Sequence, residues 1–511
     1  LTLLTQDGKA RQIMSKQNCA RLPFICQILI ATPLSSLWVL EIPATIASVV
    51  GQKLVTQAEK SAKILVADQS GSLTTSHLTK HLVSVAQAQI TPGVNSTTVI
   101  SPVSPGNNQT QFNITGGDIS GDRANLFHSF RQFNLTENQI ANFVTENNIK
   151  NIFTRINGGD PSLINGLIQI TGSQANLFLM NPAGMIFGPN ARLNLPAAFT
   201  VTTASGIELN NQWFSAHGNN QYELLTGSPS AFVFPTTQAG VIINAGDLSV
   251  TEGQNISLLG GTVVNTGNIT APYGQVTIAA IPGENVLRIS QTGKLLNLEL
   301  TAGDGGFNQN LVNTDETESS SEIATPDNIN PLSLPALLTG QSEVLQLATG
   351  LTVDANGQVV LTGTNQTIPD GSGTAIVAGN IDVRTNTFFP YISGVVNIVG
   401  DKIGVFGSTI QLSGISDAGL VRIGSDLPNN RGLYQASRTY VDERTTISIN
   451  GEGGRVIIGS QDITSFAGRV EIEGGQTSSS NSSDNLSLTN RLATTNFDDL
   501  QNKNLVHVFS N

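Results

Sequence analysis

Gly240-Val-Ile-Ile-Asn-Ala-Gly246, Asp247-Leu-Ser-Val250, Asn255-Ile-Ser-Leu-Leu259, Gly267-Asn-Ile-Thr270 and Gln275-Val-Thr-Ile278 follow one another along forty residues of this chain. Each is a short run in which apolar and polar residues alternate, and each is bounded by Gly or Asn. Alternation with period two marks a strand with one buried face. Gly and Asn supply the corner conformations that β-branched residues cannot adopt. Strands of three to five residues bury too little surface to stand alone. Stacked as successive coils, each lays its backbone hydrogen bonds on the coil below, and the inward Val, Ile and Leu merge into one continuous core.

The same grammar returns at Gly379-Asn-Ile-Asp-Val383, Gly394-Val-Val-Asn-Ile-Val399, Ile403-Gly-Val-Phe406 and Thr409-Ile-Gln-Leu412. It predicts an all-β chain wound as a right-handed parallel β-helix, a solenoid with an N-terminal cap. At roughly 20–25 residues per coil the strand-like residues would make about 13–16 coils. A set of β-sandwiches would show similar alternation, but hairpin pairs such as Asn356-Gly357 and Asn450-Gly451 mark few of the corners. An uncapped solenoid end would polymerise through its free edge. Residues 89–200, less regular, are expected to be the cap. They hold a helix-like run, Thr136–Val144, and concentrate aromatics, among them Phe127, Phe130, Phe133, Phe143, Phe153, Phe178 and Phe187.

Composition narrows the functions. Of 511 residues only 12% are charged and 5% aromatic, with 25 Lys+Arg against 37 Asp+Glu and a formal charge of −12. Low charge density with 39% hydrophobic residues argues against intrinsic disorder. The acidic balance argues against nucleic acid as a partner. The two cysteines, Cys19 and Cys26, both lie near the N-terminus, so the predicted solenoid has neither disulfides nor thiolate ligands. No P-loop, Gly-x-Ser-x-Gly or His-Glu-x-x-His motif occurs. His77 and His81, spaced i,i+4, fall in the leader. Asp247, Asp382 and Asp401 read as turn residues rather than a paired catalytic set. No catalytic residue, metal site or cofactor is expected.

Five segments emerge. Residues 1–88 read as a leader. Lys9, Arg11, Lys16 and Arg21 precede an apolar stretch from Leu22 to Gly51, and Ala86-Gln87-Ala88 is the expected cleavage site. Some 35 residues separate that stretch from Ala86 and Ala88, so the leader is of an extended kind or its start is set elsewhere. Residues 89–302 are the capped β-helix. An acidic, proline-containing excursion follows over 303–372, with a short helix expected at Leu334–Leu338. Coils resume over 373–475, and 476–511 reads as a flexible tail.

Within residues 125–190, Asn125-Leu-Phe-His-Ser-Phe-Arg-Gln-Phe133, Asn165-Gly-Leu-Ile168 and Asn176-Leu-Phe-Leu-Met-Asn-Pro-Ala-Gly-Met-Ile-Phe-Gly188 resemble the filamentous haemagglutinin N-terminal domain. That is the secretion domain of two-partner secretion exoproteins, and the likeness is to its cyanobacterial branch. It extends over roughly residues 89–475, through Gln89-Ile-Thr-Pro92, Leu332–Gly340 and Gly453-Gly-Arg-Val-Ile-Ile458. The resemblance implies a capped β-helix led by a signal peptide. It implies recognition by the POTRA domains of a dedicated outer-membrane barrel transporter, and a secreted or surface life as an adhesin. A carbohydrate or cell-surface receptor is the implied ligand class, and a monomer the expected state. The family's Asn-Pro-Asn-Gly-Ile motif maps onto Asn181, Pro182, Ala183, Gly184 and Met185, followed by Ile186. Ala183 and Met185 depart from it, and the family's Asn-Pro-Asn-Leu motif has no clear counterpart. Phe127, His128, Phe130 and Phe133 are the expected cap-packing set. Asn181–Ile186 is the candidate for transporter recognition, and a tight turn built on Pro182 and Gly184 is its plain structural alternative. A β-helical polysaccharide hydrolase or lyase is the alternative function, and a surface-layer or matrix protein a third.

Overall fold

The computed structural model describes residues 90–473, except 107, 293–294, 303–349, 354–358, 363–365, 369–371, 385–393, 415–417, 426–434 and 452. It also describes strands Thr2–Leu4, Ala10–Gln12, Val66–Ala67, Leu73–Thr74, Asn485–Thr489 and Leu505–Ser510. The chain divides into Leu1–Val85 and Ala86–Asn511. In the first unit, Thr2–Leu4 pairs antiparallel with Ala10–Gln12, and Val66–Ala67 with Leu73–Thr74.

The second unit is a parallel β-helix with three faces. One coil runs Gln139–Val144 on the first face, Asn151–Ile156 on the second and Ser162–Ile164 on the third. The next runs Leu167–Thr171, Asn176–Met180 and Met185–Phe187. Each strand pairs in parallel with its equivalent one coil later. The partners Ile152↔Leu177, Leu177↔Phe199 and Ile256↔Val276 show how little chain an uninterrupted coil consumes. Inward residues such as Phe143, Ile170, Leu177, Met185, Phe199, Ile242, Ile278, Ile403 and Ile458 form one unbroken axial core.

The segment 240–278 that set the expectation supplies six of these strands, and Gly246 and Gly267 turn its corners. A Cβ on Gly267 would stand 2.1 Å from the carbonyl oxygen of Gly246 in the coil beneath. Close stacking of backbones, rather than an unusual φ, requires glycine there.

The number of coils is smaller than the alternating pattern suggested. Each of the first two faces carries ten parallel strands among the described residues, and the third carries eight. Two insertions account for the difference. One leaves after Thr202 and returns at Val241; the other leaves after Ala280 and returns at Thr374. Their strands alternate as the coils do but pair antiparallel, outside the helix. Gly206–Leu209, Gln212–Ser215, Pro229–Phe234, Asn285–Thr292 and Leu295–Ala302 make one five-stranded lateral sheet. The end of the 89–302 segment, expected as coil, therefore belongs to this sheet. Of the excursion, Gly350–Val353, Val359–Thr362 and Gln366–Ile368 form a three-stranded antiparallel sheet. Leu334–Leu338 lies outside the described residues. The stretch 476–511 holds two strands: Asn485–Thr489 runs antiparallel to Arg469–Glu473, and Leu505–Ser510 parallel to Arg455–Ser460.

The helix expected at Thr136–Val144 is a strand, Gln139–Val144, preceded by one turn. Gln139 Oε1 accepts the Thr136 N–H at 2.9 Å and Gln139 N–H donates to the Thr136 carbonyl at 3.0 Å, which makes the turn. Beyond it Ala141 and Phe143 point into the core, and the backbone pairs on both sides, with Gln109–Gly116 and Leu167–Thr171. Two ladders outweigh the local preference.

The cap is also smaller than residues 89–200. Thr98–Gly106 runs antiparallel to Gln109–Gly116 on the first face, while Ile90–Pro92 and Asp118–Ile119 run antiparallel to Asn125–Phe133 on the second. Regular coiling begins with Gln109–Gly116. Reversed strands saturate the first coil's hydrogen bonds without offering another parallel rung. A strand containing proline turns its nitrogen away from the paired side, so Pro102 withholds a donor from the outer edge.

Candidate functional site

The corner at Asn181 joins the second face to the third. Asn181 is only 1% exposed, and its side chain is fully engaged. Nδ2 donates to the Asp160 carbonyl at 3.1 Å and to Ser162 Oγ at 3.0 Å, both one coil earlier. Oδ1 accepts the Ala183 N–H at 3.0 Å. The Gly184 N–H donates to the Asn181 carbonyl at 3.0 Å, and the Gly184 carbonyl accepts from Ser162 N at 3.0 Å. Gly184 has φ +117°, and a Cβ there would meet the Val241 carbonyl oxygen at 2.9 Å. Pro182 sets the first dihedral of the turn. Met185 enters the core, whereas Ile186 points outward, half-buried, in register with Leu163 and Ile243. The motif thus clips two coils together. Position 183, where the family has Asn, is half-buried and contributes its N–H to the clip.

The four cap-set residues occupy one strand, Asn125–Phe133, and divide by pleat. Phe130 and Phe133 point inward, with ring centroids 5.2 Å apart, beside Phe143. His128 is inward as well. Its Nδ1 lies 3.1 Å from Thr98 Oγ1 of the cap, its Nε2 has no partner, and burial pushes its pKa down to about 3. Phe127 points outward. It heads a row in register with Phe153 and Phe178, with ring centroids 5.3 and 4.6 Å apart along the row.

That row is covered by the lateral sheet. Phe127 meets Phe214 at 5.0 Å and Tyr222 at 5.2 Å, and Phe232, Phe234 and Leu287 complete this second core. Polar bonds fix the same seam. Arg155, next outward along the strand from Phe153, donates to Ser129 Oγ and to the carbonyls of Ser215 and Gly218. Burial lowers its pKa, opposed by Tyr222 and Asp118. Burial alone would raise the Asp122 pKa, but hydrogen bonds from Ser120, Ala124 and Gly227 hold it below the usual carboxylate range. Neither this sheet nor the seam is anticipated by the sequence. The signal present was the loss of alternation, since apolar residues stand side by side at Leu126-Phe127 and Phe178-Leu179-Met180.

An open depression on the first face is lined by Asp247, Asn268, Thr270, Asn380, Asp382, Thr409 and Gln411. Asp247 and Asn380 stand two coils apart in one row, so the Cα atoms of Asp247 and Asp382 are roughly 12 Å apart. Arg384 holds Asp382 at 2.7 Å, and Asp382 Oδ1 accepts the Arg384 N–H in a turn. Burial opposes ionisation of Asp382, but the Arg384 bonds win and its pKa is lowered. A carboxylate so held is a poor general acid. Among the described residues no three His, Cys, Asp or Glu are grouped to hold a metal. Ala86 and Ala88 lie outside the described residues.

The chain is a parallel β-helix whose first rung is closed by reversed strands and which carries a lateral sheet. Residues 88–330 match the model of the TPS secretion domain, and this match supports a two-partner secretion exoprotein with a cognate outer-membrane transporter. Solved structures similar to it include the HMW1 secretion domain from Haemophilus influenzae. That match has 18% identity and a TM-score of 0.41, covering 76% of this chain and 90% of that one. The filamentous hemagglutinin secretion domain matches at 13% identity and a TM-score of 0.22, covering 76% of this chain and 95% of that one. No curated protein matches the chain. The family match gives no support to the hydrolase or lyase alternative.

Proposed function

We propose that the protein acts as a non-catalytic adhesin at the cell surface or after release, delivered by a signal peptide within residues 1–88 and by the POTRA domains of its transporter. The observation that carries this reading is the family match over residues 88–330. Sequential stacking suits the route, because each coil needs mainly its neighbour to bury its face. A carbohydrate or cell-surface receptor fits a protein with few charges. The formal charge of −12 disfavours nucleic acid, and the proline-bearing cap strand favours a monomer. The motifs of residues 125–190 support the cyanobacterial branch.

Asn181–Ile186 is read by the transporter while the chain is extended. Once folded, Asn181 has every side-chain group occupied inside the corner and offers nothing to a partner. The experiment is secretion with and without the cognate transporter, alongside capture of the urea-unfolded and the refolded chain by immobilised POTRA domains. Capture of the unfolded chain, reduced by Asn181→Ala, is the expected result. Secretion independent of the transporter would overturn the proposal.

A further inference from the structure

The outer surface of the first coils is completed by residues that lie about a hundred positions further along the chain. Asn125 Nδ2 donates to the carbonyls of Leu225 and Gly227, at 3.0 and 2.9 Å. The Gly121 N–H donates to the Glu223 carbonyl at 3.0 Å, and the Gly227 N–H to Asp122 Oδ2 at 3.3 Å. Arg155 reaches Ser215 and Gly218. Between these bonds the Phe127–Phe153–Phe178 row lies under Phe214, Phe232 and Phe234. Without residues 206–234, three phenyl rings would face water, the Asn125 amide would lose the Leu225 and Gly227 carbonyls, and the Arg155 guanidinium would keep only Ser129 Oγ. The inward side of these strands is an ordinary solenoid core, so the outward side alone depends on sequence-distant chain.

We propose that the lateral sheet is a latch. The first two coils do not become stable when their own residues are available; they become stable in the same cooperative step in which residues 206–234 dock. Nearest-neighbour propagation, which holds elsewhere in the rod, is suspended at its capped end. Contacts this distant in sequence raise the loop-closure cost that must be met before burial rewards it. Residues 90–180 of a chain delivered amino end first consequently stay loose until at least Phe234 has followed. This last consequence rests on the export route proposed above, whereas the latch itself is a property of the isolated chain.

The test is refolding of the full chain from denaturant in a Trp38→Phe background, which leaves Trp213 as the single tryptophan. Trp213 packs in the lateral sheet against Ala231, Val233 and Val286 and reports its closure. Pulsed hydrogen exchange reports the amides of Asn125–Phe133 and Asn151–Ile156. The expected result is that those amides become protected in the same kinetic phase as the Trp213 fluorescence change. Arg155→Met is expected to slow both signals by one common factor, about tenfold. Protection of Asn151–Ile156 before the Trp213 change overturns the latch, as does a variant that delays Trp213 alone. Should Arg155→Met fail to refold, the order of events in the parent chain decides. Dependence on a transporter is measured separately by secretion, so the latch and the export reading can fail independently.

Discussion

Asn181 Nδ2 and Ser162 Oγ lie 3.0 Å apart, the side chain of one corner hydrogen-bonded to the strand that begins the third face one coil below. With the bonds to the Asp160 carbonyl and from the Ala183 N–H, this makes Asn181 a buried tie between coils, its amide nitrogen donating twice and its amide oxygen accepting once.

Truncating the tie leaves the half-buried Ala183 N–H and the buried Ser162 hydroxyl short of a partner. A buried group left unsatisfied costs about 1–3 kcal/mol. Asn181→Ala is expected to lose about 2–3 kcal/mol in urea denaturation, with an unchanged slope against urea because the fold itself is retained. Asn181→Asp should lose at least as much, since a carboxylate cannot donate to the Asp160 carbonyl. Unchanged stability in both variants would leave the corner without a structural role and its residues free to serve recognition alone.

The aromatic row makes a second prediction. Phe153 is fully buried between Phe127 and Phe178, outside the axial core. Its removal opens a cavity under the lateral sheet, for which a phenylalanine-to-alanine change costs about 3–5 kcal/mol. Phe153→Ala should show this loss while Gln275–Ala280 and later coils keep their hydrogen-exchange protection, since they share only the rim of that cluster. Uniform loss of protection along the chain would mean that the two cores are one cooperative unit.

How much of this was legible in the sequence follows from what alternation can encode. Within 240–278, Asp247–Ser249 and Asn268–Thr270 bury one face each, so Leu248 and Ile269 between polar neighbours announce the coil. In Asn125–Phe133 both faces are buried, one by the axial core and one by the lateral sheet, and the periodicity that would separate Phe130 from Phe127 vanishes. Strands such as Gly206–Leu209 and Pro229–Phe234 carry the same composition as coil strands, and nothing local says that their partners run antiparallel. That difference lies in the pairing, which depends on distant chain. The corner at Asn181 was legible as a turn from Pro182 and Gly184. That Asn181 reaches back to Ser162 required the register.

The cap strand makes a third prediction. Pro102 and Pro105 both lie in the edge strand Thr98–Gly106, so a chain laid on this edge finds donors missing. Val99 and Val103 are exposed on the same strand, which without the prolines would be an apolar template. Pro102→Val with Pro105→Val is expected to associate with rising concentration where the parent does not, read by light scattering after size-exclusion chromatography. A double variant that stays at the parent's size at high concentration would show that the edge is blocked by something other than its prolines.

The pH dependence follows from His128. Its folded pKa is about 3 because burial disfavours the cation, against 6.5 for the free side chain. Between those values the unfolded chain binds a proton that the folded chain refuses, so stability rises with pH there. The contribution is fully present above about pH 6.5 and is lost as pH falls, at up to about 1.4 kcal/mol per unit. His217, whose pKa is lowered first by burial and then by Arg155, adds to the loss with the same sign. Asp122 and Asp442 join only in the carboxylate range, as their lowered pKa values are passed. His128→Leu fills the same inward position without a titrating nitrogen, and Thr98 Oγ1 keeps the Ser129 N–H as a partner at 3.3 Å. Its urea midpoint should therefore fall less steeply than the parent's between pH 6.5 and 4.5, by about one proton's worth of slope, while differing little at pH 8. Parallel curves for the two proteins would mean that the folded state accepts a proton at His128. The cap would then have to open around Thr98 well above pH 3.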